Sequence, residues 1–292
     1  MRFGMSVPPF GPFADPARLA DLAVRAESAG WDGFLVWDHM IYDPSFHPIG
    51  DVWVGLAAVA MRTRRLTIGT MVTPLARRRP WKVARETVSL DRLSGGRFVL
   101  GVGLGDPVQW EFGYFGEETG APVRAARLDE ALAVIAGLWT GEPFRFDGRH
   151  FTVAEVTFKP TPVQRPRIPV WVGGWWPHKP PLRRAARWDG MAPIKWGGEL
   201  HPDELAEAVA YVARHRPAGT PFDVVVSGRT DPGPADAGRI AAYVAAGATW
   251  WLEDISPWRF GADPEAQWTD RDTEAMERRV ADGPPHHPPG SY

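Results

Sequence analysis

Four short stretches put groups able to move protons or hold anions at the ends of strand-like runs. Trp37-Asp38-His39-Met40 closes the run DGFLVWDH. An imidazole titrates near neutral pH and can pass a proton, and a neighbouring carboxylate can orient it. Successive strand residues point to opposite faces, so Asp38 and His39 can serve one site only if the strand stops before them. Otherwise Asp38 is a cap and His39 a packing residue. Gly69-Thr70-Met71-Val72-Thr73-Pro74 ends a second run and leads into the basic stretch Arg77-Arg78-Arg79-Pro80-Trp81-Lys82. Arginine forks match phosphate or carboxylate, although most charge runs are solvated faces. Gly101-Val102-Gly103-Leu104-Gly105-Asp106 ends a third. Asp106 stands where a dinucleotide fingerprint needs its last glycine, so that mechanism does not apply. A strand end bare of side chains at Gly103 and Gly105 would instead let a flat ring approach the backbone, with Asp106 within reach of it as an acid. Val172-Gly173-Gly174-Trp175-Trp176 ends a fourth run, ahead of Lys179, Arg183 and Arg184. A Gly-Gly turn feeding a helix start can present N–H groups to an anion; a plain turn is the alternative. Lys195-Trp196, Ser227, Arg229, Glu253-Asp254 and Trp258 add further polar and aromatic groups at later run ends.

These stretches need a scaffold that brings strand ends together. Short β-like runs alternate with amphipathic helical ones along the whole chain. Asp15-Pro16 opens the first helix and Gly95-Gly96 closes a later one, as cap and stop residues do. Eight such βα units with short connections predict an α/β fold, a single (β/α)8 TIM barrel over residues 1–292. The stretch 142–168 breaks the rhythm with period-two alternation and an Asp-Gly turn, so a β-hairpin is expected there, inserted before strand five. Residues 283–292 read as a flexible Pro/His tail. A doubly wound open sheet would need a glycine-rich turn after its first strand, where Pro8-Pro9 stands instead. In a barrel, every stretch described above lies at the C-terminal mouth.

Composition narrows the chemistry. The chain has no cysteine, which excludes disulfides, thiolate catalysis and iron–sulfur clusters. A net charge of −2 offers no basic field for nucleic acid or an anionic membrane, so neither is expected as a partner. No run approaches the apolar length of a membrane span, and a cytoplasmic enzyme is expected. No metal is expected, because no histidine pair has helical ligand spacing, and no Ser-centred hydrolase elbow is present. The 15 tryptophans include Trp37, Trp110, Trp175, Trp176, Trp196 and Trp258 at run ends. Core packing explains any one of them, but the group suits a site for a flat or apolar ligand.

Taken together, VWDHM (36–40), IGTMVTPLARRRP (68–80), SLDRLSGGRFVLGVGLGD (89–106), PVWVGGWW (169–176) and ARWDGMAP (186–193) resemble the luciferase-like monooxygenase superfamily. Their order runs from about residue 1 to 255. The pattern is most similar to the branch using the deazaflavin coenzyme F420. The resemblance implies that His39 is the base at the reactive face of the ring and that Asp38 contacts the ring or its side chain. It implies a bulge with a non-proline cis peptide at Thr70-Met71 behind the ring, with Thr70, Met71, Val72 and Thr73 as contacts. Asp106 takes the place of the acid after GVG-x-G, and Gly173, Gly174 and Trp175, with Trp176 beside them, match the phosphate-binding loop. The acids of a deazaflavin tail would meet Arg77 to Lys82. The tryptophan that follows Asp-His in the sugar-phosphate enzymes has no counterpart at 41–44. That departure argues against glucose 6-phosphate as substrate, and the tryptophan-rich mouth suggests a small, partly apolar organic one instead. The implied activity is hydride transfer to or from that substrate. The alternatives are an FMN-dependent monooxygenase fed by a partner flavin reductase, and a flavin-binding protein without turnover. Family analogy also implies a homodimer.

Overall fold

The computed structural model describes residues 1–42, 48–231, 234–263 and 267–285. The strands are β1 (Arg2–Val7), β2 (Gly33–Val36), β3 (Thr67–Thr70), β4 (Thr73–Pro74) and β5 (Phe98–Gly103), then the pair β6 (Pro143–Asp147) and β7 (Thr152–Thr157), then β8 (Val170–Trp175), β9 (Gly190–Ile194), β10 (Asp223–Gly228) and β11 (Trp250–Asp254). All except β6 and β7 pair in parallel, in the order β3-β2-β1-β11-β10-β9-β8-β5-β4. Pairing of Ile68 with Phe98 joins β3 to β5 and closes the sheet. β3 and β4 are one barrel strand broken at residues 71 and 72, both halves lying along β5. The expected eight-stranded barrel is therefore present.

Nine helices stand among the described residues: α1 (Pro16–Ser28), α2 (Val52–Arg62), α3 (Pro80–Ser94), α4 (Val108–Glu111), α5 (Ala121–Trp139), α6 (Lys179–Ala185), α7 (Pro202–Ala213), α8 (Ala237–Ala245) and α9 (Asp270–Ala281). Their ends follow from local chemistry. The Asp15 carboxylate accepts from the Ala17 N–H ahead of Pro16, and Asp51 accepts from the Trp53 and Val54 N–H groups. Gly95 ends α3 at φ 68°, which a side chain disfavours.

Strands covered on both faces read as continuous apolar runs; all four residues of β2 and all six of β5 are buried. Leu35, Val99, Trp171, Ala192, Val225, Trp250 and Leu252 form one cluster drawn from six strands, which fills the barrel, with Met71 against it. Trp171 and Trp250 meet edge to face at 5.3 Å inside it. Both indole N–H groups donate to the Asp223 carboxylate. Trp171 and Trp250 are thus core residues of the barrel interior.

The hairpin lies where it was expected, as antiparallel β6 and β7 between α5 and β8. Glu130 of α5 accepts from the N–H groups of Arg149, His150 and Phe151 and ties its turn to the barrel wall. No described helix is long and apolar enough to cross a membrane. Most of the expected tail, from 286 on, lies outside the described residues.

Candidate functional site at the barrel mouth

β2 ends at Val36, earlier than the sequence pattern indicated. The chain leaves strand geometry before Asp38 and His39, so the alternation rule no longer separates them. His39 Nδ1 lies 2.7 Å from Glu111 Oε1. Arg77 Nε donates to Glu111 Oε2 at 2.9 Å, and its Nη2 donates to the carbonyl and carboxylate of Asp38 at 3.0 Å. Arg78 Nη2 donates to both Asp38 oxygens, at 2.7 and 2.8 Å. One chain of charge therefore runs His39–Glu111–Arg77–Asp38–Arg78. It is dry: the Glu111 side chain is 0% exposed, Asp38 3% and Arg77 5%. Burial alone would raise the Asp38 pKa, but the Arg77 and Arg78 guanidiniums outweigh it and hold the carboxyl below its ordinary value.

A carboxylate bound to a guanidinium has lone pairs to offer and no proton. An ionised Glu111 only accepts, so in that state Nδ1 is the donor to it and Nε2 is the nitrogen left to exchange a proton. Sequence reading did not pick out Glu111. Its signal is an acid set between Trp110 and Phe112 on the four-residue helix α4. An acid among aromatics is buried only if it is paired.

Asp106, the acid expected beside the ring, is exposed at the end of β5 and makes no described contact with His39. The basic loop also differs from expectation. Arg77 and Arg78 turn inward to Asp38 and Glu111, and Lys82 pairs with Glu86 at 2.6 Å. Only Arg79 of the three arginines faces solvent. Buried carboxylates at 38 and 111 claim the cations that a polyanionic tail would have used.

The non-proline cis peptide is present, but at Met71–Val72, one bond later than Thr70-Met71. Thr70 is still paired in β3 with Val36, and its hydroxyl donates to the Gly101 carbonyl at 2.8 Å. Val72 fits between two glycines. A Cβ on Gly103 would lie 2.6 Å from Val72 Cγ2, and one on Gly173 would lie 2.9 Å from Val72 Cγ1. Gly105 has φ +83° and a Cβ there would meet Pro74 at 2.8 Å. Gly103 and Gly173 thus let the bulge sit deep in the barrel wall. Thr73 Oγ1 beside it is buried and has no hydrogen-bond partner among the described residues.

Gly173 and Gly174 differ from the expected turn. β8 continues through both to Trp175, because its ladder with β9 runs through Gly173–Ala192, Gly174–Pro193 and Trp175–Ile194. A Cβ on Gly174 would lie 2.2 Å from Pro181. Trp175 meets Trp196 at 5.5 Å, and Lys179 Nζ stands 4.3 Å over the Trp176 ring. Among the described residues no group of three or more His, Asp and Glu side chains is arranged to hold a metal.

The closed parallel barrel thus carries an acid–histidine pair at its mouth, beside a glycine-cradled bulge. The chain belongs to the luciferase-like monooxygenase family, whose model matches residues 1–282. It is 34% identical over 208 residues to the F420-dependent glucose-6-phosphate dehydrogenase of Gordonia bronchialis, covering 67% of this chain and 58% of that one. The chain thus spans little more than half the length of that relative. An F420-dependent secondary alcohol dehydrogenase, solved with an F420–acetone adduct, superposes with a TM-score of 0.73 at 17% identity, covering 96% of this chain and 98% of that chain. The oxygenating constituent of the 3,6-diketocamphane monooxygenase of Pseudomonas putida, solved with FMN, gives 0.66 at 18% identity, covering 96% and 83%.

Proposed function

We propose that the chain is a coenzyme F420-dependent oxidoreductase acting on a small, partly apolar organic substrate. The observation that carries this reading is the His39–Glu111 pair, 2.7 Å apart with Glu111 fully buried and His39 at the mouth, beside a bulge whose threonine hydroxyl has no partner among the described residues. The names of the Gordonia relative and of the alcohol dehydrogenase support the cofactor. Bound there, the deazaflavin ring supplies a carbon that accepts or returns a hydride.

The remaining work falls to the chain. His39 Nε2 takes the proton from a substrate hydroxyl, or returns it, as hydride leaves or enters the adjoining carbon. Glu111 holds Nδ1, Arg77 holds Glu111, and Asp38 fixes both arginines, so the imidazole keeps one tautomer and one direction. Thr70, Met71, Val72 and Thr73 back the ring, with Thr73 Oγ1 bonding to its polar edge. Gly103 makes room for the Val72 side chain behind the ring, and Gly105 fits against Pro74, in place of the bare wall expected from the sequence. Gly173, Gly174, Trp175 and Trp176 face the phosphate end of the cofactor. Asp106, on the rim, serves as a second acid open to solvent.

With Arg77 and Arg78 engaged, the loop at 77–82 no longer favours a polyanionic tail over the phosphate of FMN. The choice between cofactors rests on the relatives. The test of the reaction is His39→Ala. Deazaflavin affinity should stay within about twofold, while turnover falls about a hundredfold or more, the usual worth of a positioned base. A variant that turns over at the wild-type rate would exclude His39 from the chemistry.

A further inference from the structure

Four tryptophans outside the barrel interior, Trp37, Trp110, Trp258 and Trp268, form with Tyr42 a wall beside His39. The His39 ring meets Tyr42 at 5.1 Å, and Tyr42 meets Trp110 at 5.4 Å and Trp258 at 5.5 Å. Trp37 lies nearly parallel to Trp258, 26° apart at 6.0 Å, and Trp268 closes on the edge of Trp258 at 6.0 Å. Trp171 and Trp250, inside the barrel, are fully covered. Trp37, Tyr42, Trp110, Trp258 and Trp268 are only partly buried, so they keep ring surface open at the mouth. Such surface selects partners that present a π face or edge of their own.

Two further observations bear on what meets this wall. The Trp37 indole donates to Ser6 Oγ at 2.6 Å, but the buried Trp258 Nε1 has no partner among the described residues. A buried N–H without an acceptor is uncommon and calls for an explanation. Four cations of the mouth, in contrast, are already paired with carboxylates. Arg77 and Arg78 hold Asp38, Lys195 holds Glu204 at 2.8 Å, and Arg229 holds Asp254 at 3.0 Å. A phosphorylated sugar binding through any of these four would have to displace its carboxylate.

We infer that the substrate is a planar aromatic molecule carrying a hydrogen-bond acceptor, its ring held against the Trp37–Tyr42–Trp258 wall and its acceptor bonded to the Trp258 N–H. This rests on the oxidoreductase reading and names the substrate class of the same site. Trp258 is then a specificity residue: its ring selects aromaticity and its N–H selects the acceptor.

The test uses protein loaded with oxidised deazaflavin, which cannot reduce a ketone, and three probes of one shape titrated by calorimetry. α-Tetralone has both the aromatic ring and the carbonyl, tetralin only the ring, and 1-decalone only the carbonyl. α-Tetralone should bind about tenfold more tightly than 1-decalone, a factor in the range of measured aromatic pairings. Trp258→Phe keeps a ring and loses the N–H. It should weaken α-tetralone about fivefold, the worth of one neutral hydrogen bond, and leave tetralin within about twofold. Equal binding of α-tetralone and 1-decalone, tighter binding of glucose 6-phosphate than of any of the three, or equal weakening of tetralin and α-tetralone by Trp258→Phe would overturn the assignment. Loading is read separately from deazaflavin absorbance. Protein that takes up none contradicts the cofactor reading alone, and the same titrations on it still decide the wall.

Discussion

Glu111 holds Nδ1 of His39 at 2.7 Å, and that makes it the most informative single position for substitution. Glu111→Gln keeps the shape but can present an N–H to Nδ1, which favours the opposite tautomer. Turnover should fall about a hundredfold, with KM and deazaflavin affinity within about twofold and the pH–rate profile changed in shape. A uniform loss of binding and rate would reduce Glu111 to a structural role. Asp38 makes a different prediction, in pH. Its carboxyl is held below the ordinary 3.8, so near that pH the unfolded chain binds more protons than the folded one. The stabilisation is complete above the ordinary value and is lost as pH falls through the folded one. Asp38→Asn should lower the melting temperature at neutral pH. It should also flatten the drop that wild-type protein shows on going from about pH 5 to about pH 3. An equally steep drop in the variant would place the acid sensitivity elsewhere. His39 and Asp38 could be recognised in the sequence because both sit in one motif. Glu111, 72 residues beyond His39, comes to it only through the closure of the barrel, and no local pattern encodes that.

At the scale of elements, the break between β3 and β4 shapes the site. Val72 fills the space left by Gly103 and Gly173, so these glycines act through packing. Gly103→Ala should destabilise the protein by about 1–3 kcal/mol, as overpacking does, and weaken deazaflavin binding. Adding Val72→Ala should restore most of both, because it removes the methyl that the new Cβ strikes. Additive losses in the double variant would mean that the two side chains do not share that space. The strands and most helices were readable from apolar runs, caps and stops. The end of β2 and the course of β8 were not. Trp37-Asp38-His39 continues an extended-looking pattern past the last ladder pair, and Gly173-Gly174 looks like a turn although β9 pairs with both residues. Ladder pairing is a property of the neighbouring strand, which the local residues do not report.

For the whole molecule, alternation of βα units was sufficient to predict a closed barrel, because parallel strands covered on both faces have few other arrangements. The hairpin was also visible, but its anchoring was not, since Glu130 and the turn at 149–151 belong to separate elements. Glu130→Ala should speed amide exchange at Arg149, His150 and Phe151 while leaving the barrel strands protected. Slowed turnover in that variant without faster exchange would contradict the anchoring role. The central claim, a barrel whose mouth holds a deazaflavin ring against the bulge at 70–73, is tested most directly by binding. Apo-protein would be titrated in parallel with coenzyme F420 and with FMN, following quenching of cofactor fluorescence. Saturable F420 binding at least about tenfold tighter than FMN binding, a difference of about 1.4 kcal/mol, is expected, weakened by Gly103→Ala. Tighter binding of FMN, or binding of neither, would contradict it.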